Sequence, residues 1–236
     1  RKDVIERERN DWDDYIKPLV ADGSFRRRYR MSIEDFNDLY GMLASRLEKV
    51  EAFGSGRNGT VRGEWSLAGA LRWLAGGTIE EVMMGPNVAK STAYSMVHAG
   101  IDAIVDCKRL RIKFPTTEDE LQEAAAGFLA RSSEGVLKRC VSAGDGLLVR
   151  ILKPKKSEHA CPERFYSGHK KTVGMNLQAN RTLLGNATCN ADYVFTGVSM
   201  NTPGSTNDRK AWTAGGWDKK IAEIPGDYYI LGDAAY

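Results

Sequence analysis

No two of the four cysteines, Cys107, Cys140, Cys161 and Cys189, form a CxxC step, and none of the three histidines stands at zinc-finger spacing from them. Such spacing indicates neither a disulfide framework nor a structural zinc site, and reduced, buried thiols are the expectation. Long apolar runs are missing too. No stretch approaches the ~20 residues that span a bilayer, and the opening RKDVIERERNDWDDY is too charged for the apolar region of a signal peptide, so no membrane partner and no secretion are expected. A strong charge of one sign is also absent. The net charge of +3 falls short of the excess carried by constitutive nucleic-acid binders.

What is present is a chain of 236 residues, 42% hydrophobic and 28% charged, enough for one large domain or two small ones. The basic residues are clustered, in FRRRYR, CKRLRIKF, RILKPKK and SGHKK, while acidic ones gather at the N-terminus and in TTEDELQE. Each cluster reads either as a solvated face or as a contact for a polyanion.

Up to about residue 130 the pattern is helical. SIEDFNDLYGMLASRLEKV starts with Ser32 and Asp35 as a capping-box-like pair and repeats Phe36, Leu39, Tyr40, Leu43 and Leu47 at helical spacing. GSGRNGTVRG reads as a loop, and EWSLAGALRWLAGG as a helix stopped by Gly76 and Gly77. TIEEVMM, a break at GPNVAK, and STAYSMVHAGIDAIVD predict a helix-turn-helix near 78–105. Its second helix would offer Lys90, Ser91, Thr92 and Tyr94 to a DNA groove, with Arg26, Arg27 and Arg28 as backbone contacts. From Val136 onward the composition shifts to strand formers punctuated by Gly and Asn. The expected organisation is therefore α+β or α/β, with a helical DNA-binding region over 1–135 and a mixed sheet over 136–236.

Within that second region, strands are expected near 138–145, 147–153, 171–179 and 193–200. A helix over Thr206 to Thr213 follows, and a last strand ends at Asp233. Asp145 lies beside Gly144 and Gly146, and Asp233 follows Gly232. Turns collect such residues for backbone reasons alone. Carboxylates at the ends of neighbouring strands would also hold a divalent metal rigidly, and glycine beside them lets a phosphate come close.

In this order, CVSAGDGLLVRI, FYSGHKKTVGMNLQA, DYVFTGVSMNTPGSTNDRKAW and YYILGDAAY resemble the DDE nuclease domain of PIF/Harbinger-type transposases and their domesticated relatives. Upstream, FRRRYRMSIEDFNDLY and LRWLAGGTIEEVMM through VAKSTAYSMVHAGI are similar to that family's helical region, so the resemblance covers nearly the whole chain. It implies an RNase H-like fold, with Asp145 as the first catalytic aspartate and Asp233 as the second, within the GDxxY element. Both would ligate Mg²⁺, with Mn²⁺ as a substitute. Asp208 matches a further acidic position, where a direct metal role and a local role in holding a loop at a helix start both stay open. His169, Lys170 and Lys171 are candidate DNA-backbone contacts, or a solvated loop.

The resemblance further implies double-stranded DNA cut and joined at transposon ends, an accessory DNA-binding protein and further copies of the chain as partners, and a nuclear location. Three departures stand out: Gly144 in place of a bulkier residue, a connection lengthened by NRTLLGNAT, and Asn207 where His is common. The family's third acidic residue, a Glu, is expected beyond Tyr236, and this segment by itself is expected to be inactive. The competing reading is a domesticated protein that binds DNA or recruits partners without cutting. A helical regulator whose carboxylates bind a small molecule fits the ordered motifs less well.

Overall fold

The computed structural model describes residues 7–48, 59–179, 188–192 and 194–232. The chain divides into two compact units, Arg1–Arg111 and Ile112–Tyr236. The second begins ahead of the composition shift at 136, because the helix before that shift packs on the sheet after it. No helix among the described residues is long and apolar enough to cross a membrane.

The first unit contains α1 (Trp12–Ala21), α2 (Ser24–Tyr29), α3 (Ile33–Leu47), α4 (Gly63–Leu74), α5 (Ile79–Met84) and α6 (Lys90–Asp106). The pattern in α3 works as its spacing predicts: Asp35 N donates to Ser32 Oγ at 3.0 Å, and Phe36, Leu43 and Leu47 are buried. Phe36 is fully enclosed, stacked on Trp12 with centroids 5.2 Å apart and met edge-on by Phe25 at 5.6 Å. Trp65 brings α4 into the same cluster through an edge contact with Trp12 at 4.9 Å. α4 and α6 approach so closely that a Cβ on Gly100 would lie 2.5 Å from the Ser66 carbonyl oxygen. Residues 85–89 turn from α5 into α6 and are strapped by the segment before α1. Asn10 Nδ2 donates to Gly85 O at 2.6 Å, Arg9 Nη1 to Asn87 O at 2.6 Å, and Asn87 Nδ2 to Glu8 O at 2.9 Å.

The second unit begins with α7 (Glu118–Arg131), capped by the reciprocal pair Thr117 and Glu120. Leu121 and Ala125 on its inner face bury Val141 of β1 (Cys140–Arg150). There follow β2 (Tyr166–Ser167), β3 (Thr172–Ala179), β4 (Thr188–Cys189), β5 (Phe195–Gly197), β6 (Ser199–Pro203), α8 (Asp208–Ala214), α9 (Trp217–Ala222) and β7 (Tyr229–Gly232). β1 pairs antiparallel with β3 and β4 and parallel with β7; β6 pairs with β3, and β5 with β4.

Ala143 faces both Cys189 and Leu231, so β4 and β7 flank β1 on opposite sides. A single residue, Val198, separates β5 from β6, too little chain to cross a sheet. Hence β3 and β4 share one side of β1, and the sheet runs β5 and β6, then β4 and β3, then β1, then β7. The strands expected at 138–145 and 147–153 are one strand, β1. Gly144 and Gly146 read as punctuation in the sequence, but each has a ladder partner that carries the strand on, Gly232 of β7 for the first and Gln178 of β3 for the second. The strand expected near 193–200 divides into β5 and β6, and the helix expected from Thr206 starts two residues later because Asn207 caps it.

Candidate active site

Asp145 lies within β1 at the step where the strand changes partners. Cys140 to Gly144 run beside β7, and from Asp145, opposite Ala179, to Arg150 the strand pairs with β3. β7 is parallel to β1, and the pairs Ala143 with Leu231 and Gly144 with Gly232 bring the two strands forward in register. Each of these glycines directly precedes one of the two aspartates singled out, Asp145 and Asp233. Asp233 itself lies outside the described residues. Neighbouring strands lie about 4.8 Å apart, and the paired glycines put no side chain on either face of the sheet at that step.

Asp208 is the first residue of α8. Asn207 Oδ1 accepts from Lys210 N at 2.9 Å, fixing the helix start. From β3, the buried Asn176 donates through Nδ2 to Thr206 O at 2.9 Å and to Asp208 Oδ1 at 3.3 Å. Asn176 is paired with Leu148, three residues past Asp145 on β1, or about 10 Å along the strand. The Asn176 bond is of the loop-holding kind, one of the two roles left open for Asp208. Sequence reasoning missed Asn176. Its signal was a lone amide inside the run TVGMNLQA, because a buried amide must find partners. Among the described residues, no group of three or more His, Cys, Asp or Glu side chains comes together as a metal-holding set.

The helix-turn-helix candidates lie along the first turns of α6. Lys90 Nζ is paired with Glu80 Oε1 across the turn at 3.2 Å. A hydrogen bond from the Glu80 backbone amide, and then Lys90, hold that carboxyl below its ordinary value. Ser91 is exposed and Thr92 half-buried; the exposed Tyr94 meets Trp73 of α4 edge-on at 6.2 Å. Of the three arginines in α2, Arg26 and Arg27 are exposed. Arg28 turns inward and donates to Tyr15 Oη at 2.5 Å, which gives it a packing partner within the unit.

His169, Lys170 and Lys171 form the exposed turn between β2 and β3. Lys170 N donates to Ser167 Oγ at 3.3 Å, and Lys171 adopts a left-handed backbone with φ of 50°. This turn lies beyond the Gly174 and Arg150 pair, at the opposite end of the β1 and β3 ladder from Asp145. The structure thus brings Asp208 toward the strands that carry Asp145, and sets the 169–171 turn at the far end of the same ladder.

Residues 144–236 match the family model described as DDE superfamily endonuclease. The match starts one residue before Asp145 and takes in β3 through β7, which supports a nuclease domain with DNA as its substrate. No curated protein and no solved structure matches the chain.

Proposed function

We propose that the chain is a transposase-type endonuclease of the PIF/Harbinger kind that cuts and joins duplex DNA, with Asp145 and Asp233 as the carboxylates at its reaction centre. The observation that carries this reading is the parallel register of β1 and β7, which meet at Gly144 and Gly232 immediately before those two residues. The strand order of β6, β3, β1 and β7, with only β7 parallel to β1, supports an RNase H-like sheet. Carboxylate oxygens from Asp145, within β1, and from Asp233, next after the paired Gly232, would suit Mg²⁺ or Mn²⁺, which take hard oxygen ligands.

Two carboxylates side by side repel one another, and a cation between them relieves that repulsion. Such an ion, when bound, lowers the pKa of water and offsets charge on the phosphate. The chain's own part is to fix the carboxylates on a rigid sheet and to leave the glycine backbone open to the phosphate. Asp208, held by Asn176, steadies α8 against that sheet. Two carboxylates make only part of an oxygen shell, so the 236-residue chain is expected to hold the ion weakly and cut slowly. The α5 and α6 pair presents Ser91, Thr92 and Tyr94 to a groove, with Arg26 and Arg27 on phosphates. An accessory DNA-binding protein, self-association and a nuclear location belong to the same reading.

The test measures Mn²⁺ binding by electron paramagnetic resonance, together with metal-dependent nicking of duplex DNA. Asp145→Asn and Asp233→Asn should each weaken Mn²⁺ binding and abolish nicking while duplex binding persists. Mn²⁺ binding and nicking indifferent to both changes would overturn the reading. Duplex binding with no Mn²⁺ site would favour the non-cleaving, domesticated protein.

A further inference from the structure

Residues 150–171 hold seven Lys and Arg against two Glu, a surplus of five in a chain whose whole net charge is +3. The segment is one of several basic clusters in the chain, and its surplus exceeds the net charge of the whole, so the remainder sums to a small negative charge. We propose that this segment is a DNA-binding surface in its own right, gripping the phosphate backbone of a duplex away from the cut. The choice of duplex DNA as occupant and the position of the cut both rest on the nuclease reading above; the clustering of unpaired cations does not.

The fold gathers the segment at one end of the sheet. Arg150 faces Gly174, Ile151 N donates to Val173 O at 3.2 Å, and Val173 faces Tyr166, so the chain leaving β1 and the β2–β3 turn emerge side by side. The leaving chain is itself ordered: Lys155 O accepts from Glu158 N at 2.9 Å and His159 N at 3.1 Å, and His159 stands edge-on to Phe165 at 4.9 Å. The Glu158 carboxylate accepts from the Lys155 backbone amide at 2.8 Å. Arg150, Lys153, Lys155, Lys156, Lys170 and Lys171 are all exposed, and among the described residues none of them enters an ion pair. In the helical unit, by contrast, Arg46, Arg62, Arg72 and Lys90 are each neutralised by a carboxylate.

Unpaired cations carried on two adjoining turns whose backbone is held by hydrogen bonds suit a regular polyanion, because the backbone itself needs little ordering when it binds. Under the nuclease reading, duplex DNA is the polyanion on which this chain acts. Arg150 stands five residues along β1 from Asp145, about 17 Å at ~3.3 Å per residue. Contacts should therefore begin about five base pairs from the cut, at ~3.4 Å per pair.

The experiment measures duplex affinity of the 236-residue chain against salt concentration, without metal, for wild type and for Lys153→Gln, Lys155→Gln, Lys156→Gln and Lys170→Gln combined. Each lost phosphate contact removes about 0.9 from the slope of log affinity against log salt, so the slope should flatten by roughly 3 to 4. The same four positions changed to Arg should keep the slope, which separates lost charge from lost fold. An unchanged slope in the Gln variant overturns the proposal. So does tighter binding to single-stranded RNA or to phosphatidylserine vesicles than to duplex at equal salt. Because the measurement is made without metal and scores binding alone, the absence of cutting leaves the result on this surface legible.

Discussion

In the helical unit Arg46 reaches Asp106, Arg62 reaches Asp13 and Glu64, and Arg72 reaches Glu81; in the sheet unit the cations from Arg150 to Lys171 face solvent. The interiors differ in the same sense. Rings of Trp12, Tyr15, Phe25, Tyr29, Phe36 and Trp65 meet one another in the first unit. Five of the six buried polar residues among those described, Ser142, Ser167, Asn176, Thr196 and Thr202, belong to the second. Ser142 and Thr196 share a hydroxyl bond of 3.2 Å between β1 and β5, and Asn176 ties β3 to α8. The first unit answers several of its cations with carboxylates and packs on rings. The second uses buried hydrogen bonds to hold a sheet in place and leaves the cations of 150–171 unpaired among the described residues.

The largest expected effect tests whether the two interiors are independent. Phe36→Ala should destabilise the helical unit by about 3–5 kcal/mol, as removal of a buried ring does. Hydrogen exchange should then accelerate across α1 to α4 while the β1 and β3 amides keep their protection. Equal loss in both units would break the comparison.

Next come two glycines whose missing Cβ admits a backbone oxygen. Gly100→Ala meets Ser66 O at 2.5 Å, and Gly204→Ala meets Gly174 O and Phe165 O at 2.7 Å each. Each change should cost about 1–3 kcal/mol. Thermal melting should register both, with Gly204→Ala also loosening β6 from β3 in hydrogen exchange.

Asn176→Ala sharpens the contrast in how the sheet is held. It removes the donor to Thr206 O and Asp208 Oδ1 and should cost about 1–3 kcal/mol. Under the proposed chemistry it should also slow metal-dependent cutting without changing the salt slope of duplex binding.

The smallest effect is shared by both units. The Thr78 amide and then Arg72 hold the Glu81 carboxyl below its ordinary value of 4.5, and the Thr116 and Thr117 amides do the same for Glu120. A depressed carboxyl contributes stability above its unfolded value and loses it as pH falls through its folded one. The melting temperature should hold from pH 7 to 5 and fall below about 4.5. Glu81→Gln with Glu120→Gln should make that decline shallower. Thr78→Ala and Thr117→Ala should each cost about 1 kcal/mol through the lost caps.

Helices were the legible part of the sequence, because helix signals are local. Ser32 with Asp35, the Gly76 stop after α4 and the spacing of Phe36, Leu43 and Leu47 all act within a few residues of one another. Strand limits were less legible. A glycine on either side of Asp145 looks like an interruption until β3 and β7 supply the pairs that carry β1 through it. Arg28 looked like Arg26 and Arg27 in the string FRRRYR, and only the position of Tyr15, thirteen residues earlier, turns it inward.

The sequence by itself determined the helical pattern, the glycine-flanked aspartates, and the order of motifs that resembles a nuclease. Tertiary structure alone decided that Gly144 and Gly232 lie side by side, that Asn176 reaches Asp208, and that two basic stretches separated along the chain emerge at one end of the sheet. The physical reason is range. Capping and helical periodicity are set by neighbours three or four residues apart, whereas a strand's partner, and the charge that gathers at its end, come from chain tens of residues away.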